Sequence, residues 1–247
     1  MKNSYLYLVM SGHSKWANIK NRKGAQDKKR SEAFTRASKN IMTAIREGGR
    51  NSNPESNIGL REAIDKARAV NMPKENIERL LQRFEERKNN LVSGVFEGFG
   101  PFGVPIMIEV ETDNKNRILG EIKLIFRNYE GSLGESGSVA FMFRRVGEIE
   151  LESKLEEEAE LKLIDEGVSD IKENLVITEI VDCKKIGEKI KLLGGQIKDL
   201  GLVYQCLNPV ILDTEIKLGK ILDMAQELEE NDDVINVFAG FDYVEKN

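Results

Sequence analysis

A single histidine, two cysteines and one tryptophan in 247 residues remove several kinds of chemistry at the outset. With His13 alone, no histidine cluster can hold a metal, and a histidine-paired nucleophile has one candidate, set among basic residues. Cys183 and Cys206 lack the CxxC spacing of a zinc or redox site and make no disulfide framework, which fits a reducing, cytoplasmic setting. Long apolar runs are missing too. Nothing approaches the roughly 18 to 20 residues that cross a bilayer, and Tyr5 to Val9 is too short for a signal-peptide core, so no membrane partner is expected. Acidic runs such as Glu156 to Glu158 and Asp232-Asp233 read as solvated helix faces or turns, and no metal site or cofactor is assigned.

What is present is charge, unevenly placed. At 40% hydrophobic and 32% charged residues the chain has the composition of a folded protein. Its net charge of −5 conceals a gradient: residues 1–50 hold 12 Lys and Arg against 3 Asp and Glu, whereas residues 91–247 hold 17 basic and 32 acidic groups. A basic end attracts phosphate and an acidic body repels it, so a polyanion is expected at one end of the molecule.

Apolar spacing predicts three helices over 31–88. The first carries Phe34, Ala37, Ile41 and Ile45, opens at Ser31 as N-cap and stops at Gly48-Gly49; the second carries Leu60, Ile64, Ala67 and Val70. The third, with Pro73 in its first turn, carries Ile77, Leu80, Leu81 and Phe84. Residues 11–30 have few apolar anchors and are expected to order on binding. Beyond Asn90 the period changes. Strands are predicted over 92–98, 104–112 and 138–144, with a helix over 114–129. A strand over 147–151, helix over 155–165, strands over 169–172 and 175–180, helix over 184–193 and strand over 196–204 follow, the βαββαβ order of a ferredoxin-like unit. A last helix over 214–230 and strand over 234–241 must dock on something, and the incomplete sheet of 91–145 is their host. The expected fold is therefore α+β and multidomain. It comprises an N-terminal extension (1–9), a basic arm and helical bundle (10–90), a discontinuous α+β domain (91–145 plus 207–247) and an inserted ferredoxin-like domain (146–206).

The spacing GxGxxG at Gly98, Gly100 and Gly103 suggests a dinucleotide fingerprint, but Pro101 interrupts it and a strand, not a helix, follows; a hairpin is the better reading. Gly131 to Ser138 lacks the Lys-Ser or Lys-Thr of a P-loop and reads as a connection. The basic cluster differs in kind, because its cations have few acidic neighbours to pair with. Lys15, Lys20, Arg22, Lys23, Lys28, Lys29, Arg30, Arg36 and Lys39 are the candidate phosphate contacts, and Trp16 either stacks on a base or anchors the arm. A helix-turn-helix around residues 71–73 is the weaker alternative, since Glu75, Glu78, Glu85 and Glu86 would repel the groove.

The run from Met10 through Ser-Gly-His-Ser-Lys-Trp-Ala-Asn-Ile to Lys20, with Arg46-Glu-Gly-Gly49, Asn71-Met-Pro-Lys74, Glu97-Gly-Phe-Gly-Pro-Phe-Gly-Val104, Thr112-Asp-Asn-Lys-Asn-Arg117 and Gly134-Glu-Ser-Gly-Ser-Val139, closely resembles the YebC/PmpR family. The resemblance runs from Met10 onward, so translation is expected to begin there. It implies three domains with a ferredoxin-like insertion, no catalytic residues, and a role as a DNA-binding transcriptional regulator or, in some relatives, a translation factor at the ribosome. The chain is thus expected to be a non-enzymatic nucleic-acid-binding regulator acting on DNA. Binding to RNA or the ribosome is the alternative, and a protein partner at the acidic domains a third reading.

Overall fold

A computed structural model of the chain describes residues 26–244, and its architecture is α+β. Three helices come first: α1 (Gln26–Glu47), α2 (Ile58–Ala69) and α3 (Lys74–Arg87). Apolar residues three or four apart put one stripe of each into a shared core, where Ala37, Ile41 and Ile45 meet Leu60, Ile64, Ala67, Ile77 and Phe84. Asn57 fixes the joint between α1 and α2. Its side-chain oxygen accepts the N–H of Leu60, while its Nδ2 donates to the carbonyls of Ala44 and Asn51. Helix α1 starts earlier than expected. Ser31 lies inside it rather than at an N-cap, and residues 26–30, expected to order only on binding, already belong to its first turns. Gln26, Lys28, Lys29 and Arg30 are good helix formers, which supports the longer helix. Pro73 is the residue just before α3 rather than part of its first turn.

Two four-stranded antiparallel sheets follow. The first combines β1 (Val92–Phe99), β2 (Pro105–Thr112), β3 (Ser132–Leu133) and β9 (Val234–Ala239) in the order β3-β1-β2-β9. Helices α4 (Lys115–Asn128) and α7 (Glu215–Glu230) cover one face, where Ile106, Ile108 and Val110 meet Ile122, Phe126, Leu222 and Leu228. The second combines β4 (Phe143–Leu151), β5 (Asp170–Lys172), β6 (Leu175–Thr178) and β7 (Ile197–Cys206) in the order β5-β6-β4-β7. There α5 (Glu157–Asp165) and α6 (Cys183–Leu192) pack Leu163, Ile186 and Ile190 against Ile149 and Leu151. The opposite faces of the two sheets meet in a further cluster, with Met107 and Phe238 from the first against Val146, Ile177 and Val203 from the second.

Two strand expectations need correction. Residues 140–142 form a 3-10 turn, and Phe143 to Leu151 run as one strand where two were expected, because β7 pairs with the whole of it from Phe143↔Cys206 to Leu151↔Ile197. The boundary expected between residues 145 and 146 therefore falls inside β4. The final strand is broken at Gly240. A Cβ there would lie 2.5 Å from the Cys206 sulfur and 2.8 Å from a Pro105 ring carbon, and after it β10 (Phe241–Tyr243) turns away to pair in parallel with β8 (Val210–Leu212).

Both glycine-rich stretches sit at one end of the first sheet. Gly98 to Gly103 is the β1–β2 hairpin, and the Gly131 to Ser138 connection pairs with β1 through β3. Buried Glu97 binds the second loop: its carboxylate accepts the N–H groups of Gly137, Val139 and Ala140 at 2.8, 2.9 and 2.8 Å. Burial by itself would raise the Glu97 pKa, but these three donors outweigh it and hold the carboxyl below its usual range. Glu97→Ala is expected to cost about 1 to 3 kcal/mol in urea unfolding, as donors lose their acceptor, and to accelerate hydrogen exchange at those three amides. Unchanged exchange would mean that the loop holds itself.

Candidate nucleic-acid interface

The sequence concentrates its cations on and ahead of α1. The expectations for Lys15, Trp16, Lys20, Arg22 and Lys23 lie outside the described residues, and Lys28, Lys29 and Arg30 occupy the first turns of the helix. The buried stripe of Ala37, Ile41 and Ile45 sets the rotation of α1, so that Arg36, Asn40, Thr43 and Glu47 face solvent. Arg36 is open to a polyanion. Lys39 is not, because it sits on the flank turned toward α7.

That flank forms a seam of ion pairs with the α+β body. Lys39, 15% exposed, has its Nζ 3.9 Å from Glu229 and makes no hydrogen bond among the described residues. Burial, only partly offset by Glu229, lowers its pKa from 10.5 to about 8. Farther along, Arg46 and Arg50 each donate to one oxygen of Glu111 at 2.7 Å. Arg50 reaches it from a left-handed backbone (φ 62°) directly after Gly49 (φ 73°). From α3, Arg83 pairs with Asp232 at 2.7 Å, and Arg87 spans both oxygens of Asp113 at 2.8 and 3.0 Å. Arg87 also donates to Asp233 at 2.5 Å, and Asp233 further accepts from Arg117 at 2.6 Å and Thr112 at 2.7 Å. Burial would raise the Asp233 carboxyl, but the Thr112, Arg87 and Arg117 hydrogen bonds hold it below the usual range. The acidic pair expected in a solvated turn is thus split: Asp232 is exposed, while Asp233 is 3% exposed and locked in the network.

Between the two parts lies a cleft of about 340 Å³ with Phe34, Met42 and Leu80 among its apolar walls. Its cations face carboxylates, so it is no ready-made anion pocket. Nor is the Gly131 to Ser138 loop, whose Gly137 N–H, with those of Val139 and Ala140 just after it, already holds Glu97. Among the described residues no group of three or more His, Cys, Asp or Glu is placed to hold a metal, and no helix is long and apolar enough to cross a membrane. The seam arginines went unmarked in the sequence because their partners are remote; Arg46 and Glu111 are 65 positions apart, Arg87 and Asp233 146.

The chain matches the TACO1/YebC N-terminal domain over residues 14–87 and the TACO1/YebC second and third domain over residues 91–241. It is 41% identical to a probable transcriptional regulatory protein of Thermoanaerobacter pseudethanolicus, over 96% of this chain and 99% of the relative. Another protein of that description, from Syntrophomonas wolfei, is 40% identical over 94% of this chain and 96% of its own length. The crystal structure of a conserved hypothetical protein from Aquifex aeolicus shares the fold, with a TM-score of 0.67 and 32% identity over 94% of this chain and 98% of that one.

The buried ammonium makes a measurable demand on stability. From about pH 8 to pH 10.5 the folded chain has shed a proton that the unfolded chain keeps, so Lys39 penalises folding at neutral pH and the penalty lifts as pH rises through that window. Lys39→Met should be more stable than wild type at pH 7, by up to about 3 kcal/mol, and should lose this share of the alkaline gain. Urea unfolding of both proteins at pH 7 and pH 10 checks this; equal stability at pH 7 would count against a strained Lys39.

Proposed function

Because the chain belongs to the TACO1/YebC family, we propose that it is a non-enzymatic, cytoplasmic regulator of gene expression that grips nucleic acid through its basic N-terminal segment. The observation that carries this reading is the cationic α1. A helix rooted in the bundle core presents Arg36 to solvent, and Lys28, Lys29 and Arg30 lie in its first turns, continuous with the basic run from Lys15. Cations on a preformed helix neutralise phosphates with little further ordering cost. The relatives named as probable transcriptional regulatory proteins favour DNA as the target. Phosphate attraction is common to DNA and RNA, so an RNA or ribosomal target is the second outcome of the same measurement.

If about six of Lys15, Lys20, Arg22, Lys23, Lys28, Lys29, Arg30, Arg36 and, where it is uncovered, Lys39 meet phosphates of duplex DNA, log K falls against log salt with a slope near −5. Replacing Lys28, Lys29 and Arg30 together by Ala should weaken binding alike on every sequence and flatten the slope by up to about three. Trp16→Ala should cost about 1 to 3 kcal/mol if the ring stacks on a base, with little change in slope. Fluorescence anisotropy titrations against duplex DNA and single-stranded RNA read all three quantities. A triple variant that binds both as well as wild type would return the basic segment to the status of a solvated surface.

A further inference from the structure

We propose that the arginine flank of the helical bundle is a second phosphate-binding surface, masked in this structure by carboxylates of the body that stand where nucleic-acid phosphates would. The inference rests on the nucleic-acid reading above and extends it to Arg46, Arg50, Arg83 and Arg87.

Three observations carry it. The first is continuity: Arg36, Lys39, Arg46 and Arg50 follow one another along α1 and the turn after it, passing from open solvent into the seam. A strand of phosphates laid on the open part of the helix reaches the covered part next. The second is how the seam is made. The bundle core and the cores of the body share no residue, and the parts are bridged by charged side chains around a cleft. Those bridges are exchangeable in kind, because a guanidinium that spans both oxygens of Asp113 fits two phosphate oxygens equally well. The third is what each side keeps if the seam opens. Asp233 would lose Arg87 but retain Arg117 and Thr112, both of the body, so its buried charge stays compensated. Glu111 would lose the arginines that bury it and gain water. Lys39 would gain most, since its Nζ has no hydrogen bond among the described residues.

In this arrangement the acidic body competes with nucleic acid for one set of cations, so a weak or short polyanion leaves the seam closed while a long one displaces it. Lys39 can serve as a phosphate contact only in the open form.

The test uses the full chain and a matched pair of double variants. Glu111→Gln with Asp232→Asn removes two masking charges; Glu135→Gln with Glu152→Gln removes two exposed charges of the body outside the seam. Binding to a short duplex DNA and to a single-stranded RNA is measured across a salt series. The seam variant is expected to bind about tenfold tighter at low salt, with a slope steeper by about two as freed arginines join the contact, while the control stays near wild type. Where thermal melts show that Glu111→Gln does not fold, Asp113→Asn with Asp232→Asn replaces it, both at partly exposed positions. Equal gains in seam and control variants, or none in either, would overturn the masking while leaving the proposed function intact. Absence of binding by all forms, wild type included, would overturn the proposed function and this inference with it.

Discussion

Glu111 and Asp233 hold the architecture together in a way no apolar contact does. Each has a side chain 4% exposed, each belongs to the first sheet or its connecting turn, and the helical bundle reaches both, Glu111 with Arg46 and Arg50 and Asp233 with Arg87. A carboxylate buried this far is tolerated only when its charge and lone pairs are met, and removing one partner of such a group commonly costs about 3 to 5 kcal/mol. The bundle therefore sits where its arginines can reach these two groups. Hydrophobic burial decides that each part folds, since its clusters are internal to bundle or body, and the ion pairs decide how the two parts are oriented.

This division of labour gives the charge gradient of the chain a structural meaning. Positive charge early and negative charge late would suffice to repel phosphate from the body and draw it to the arm. The seam adds a short-range consequence: part of the basic end is neutralised internally, while Arg36 on the solvent face of α1 stays open. Lys39 marks the border. It lies on the same helix as Arg36 but one flank round, and that rotation buries its ammonium beside Glu229; the burial, only partly offset by that carboxylate, lowers its pKa to about 8.

The glycine-rich stretches show the same economy at the other end of the first sheet. Each has the composition of a phosphate cradle, yet one closes a hairpin and the other wraps its N–H groups around Glu97. An internal carboxylate again stands where an external anion would be sought, here deep enough in the fold to serve the loop's conformation.

Much was legible from the residues alone. Apolar periodicity of 3.6 located the helices, with the start of α1 the main departure, and the helices expected over 114–129 and 214–230 are α4 and α7. The hairpin at Gly98 to Gly103 followed from Pro101 and the strand after it, and the cationic character of α1 is a property of composition. What the sequence could not show were the events that need a distant partner. Gln205 and Cys206 extend β7 past residue 204, and with Tyr204 they draw Phe143 to Arg145 into one long β4. The Cys206 sulfur leaves no room for a side chain at residue 240, and there the last strand breaks. Asp233, in a dipeptide that looks solvated, is buried because Arg87 and Arg117 arrive from 146 and 116 residues away. Local sequence determines periodicity, caps and charge, since these act through neighbours a few residues apart. Which charges meet, and which remain for a ligand, depends on chain segments brought together only by folding.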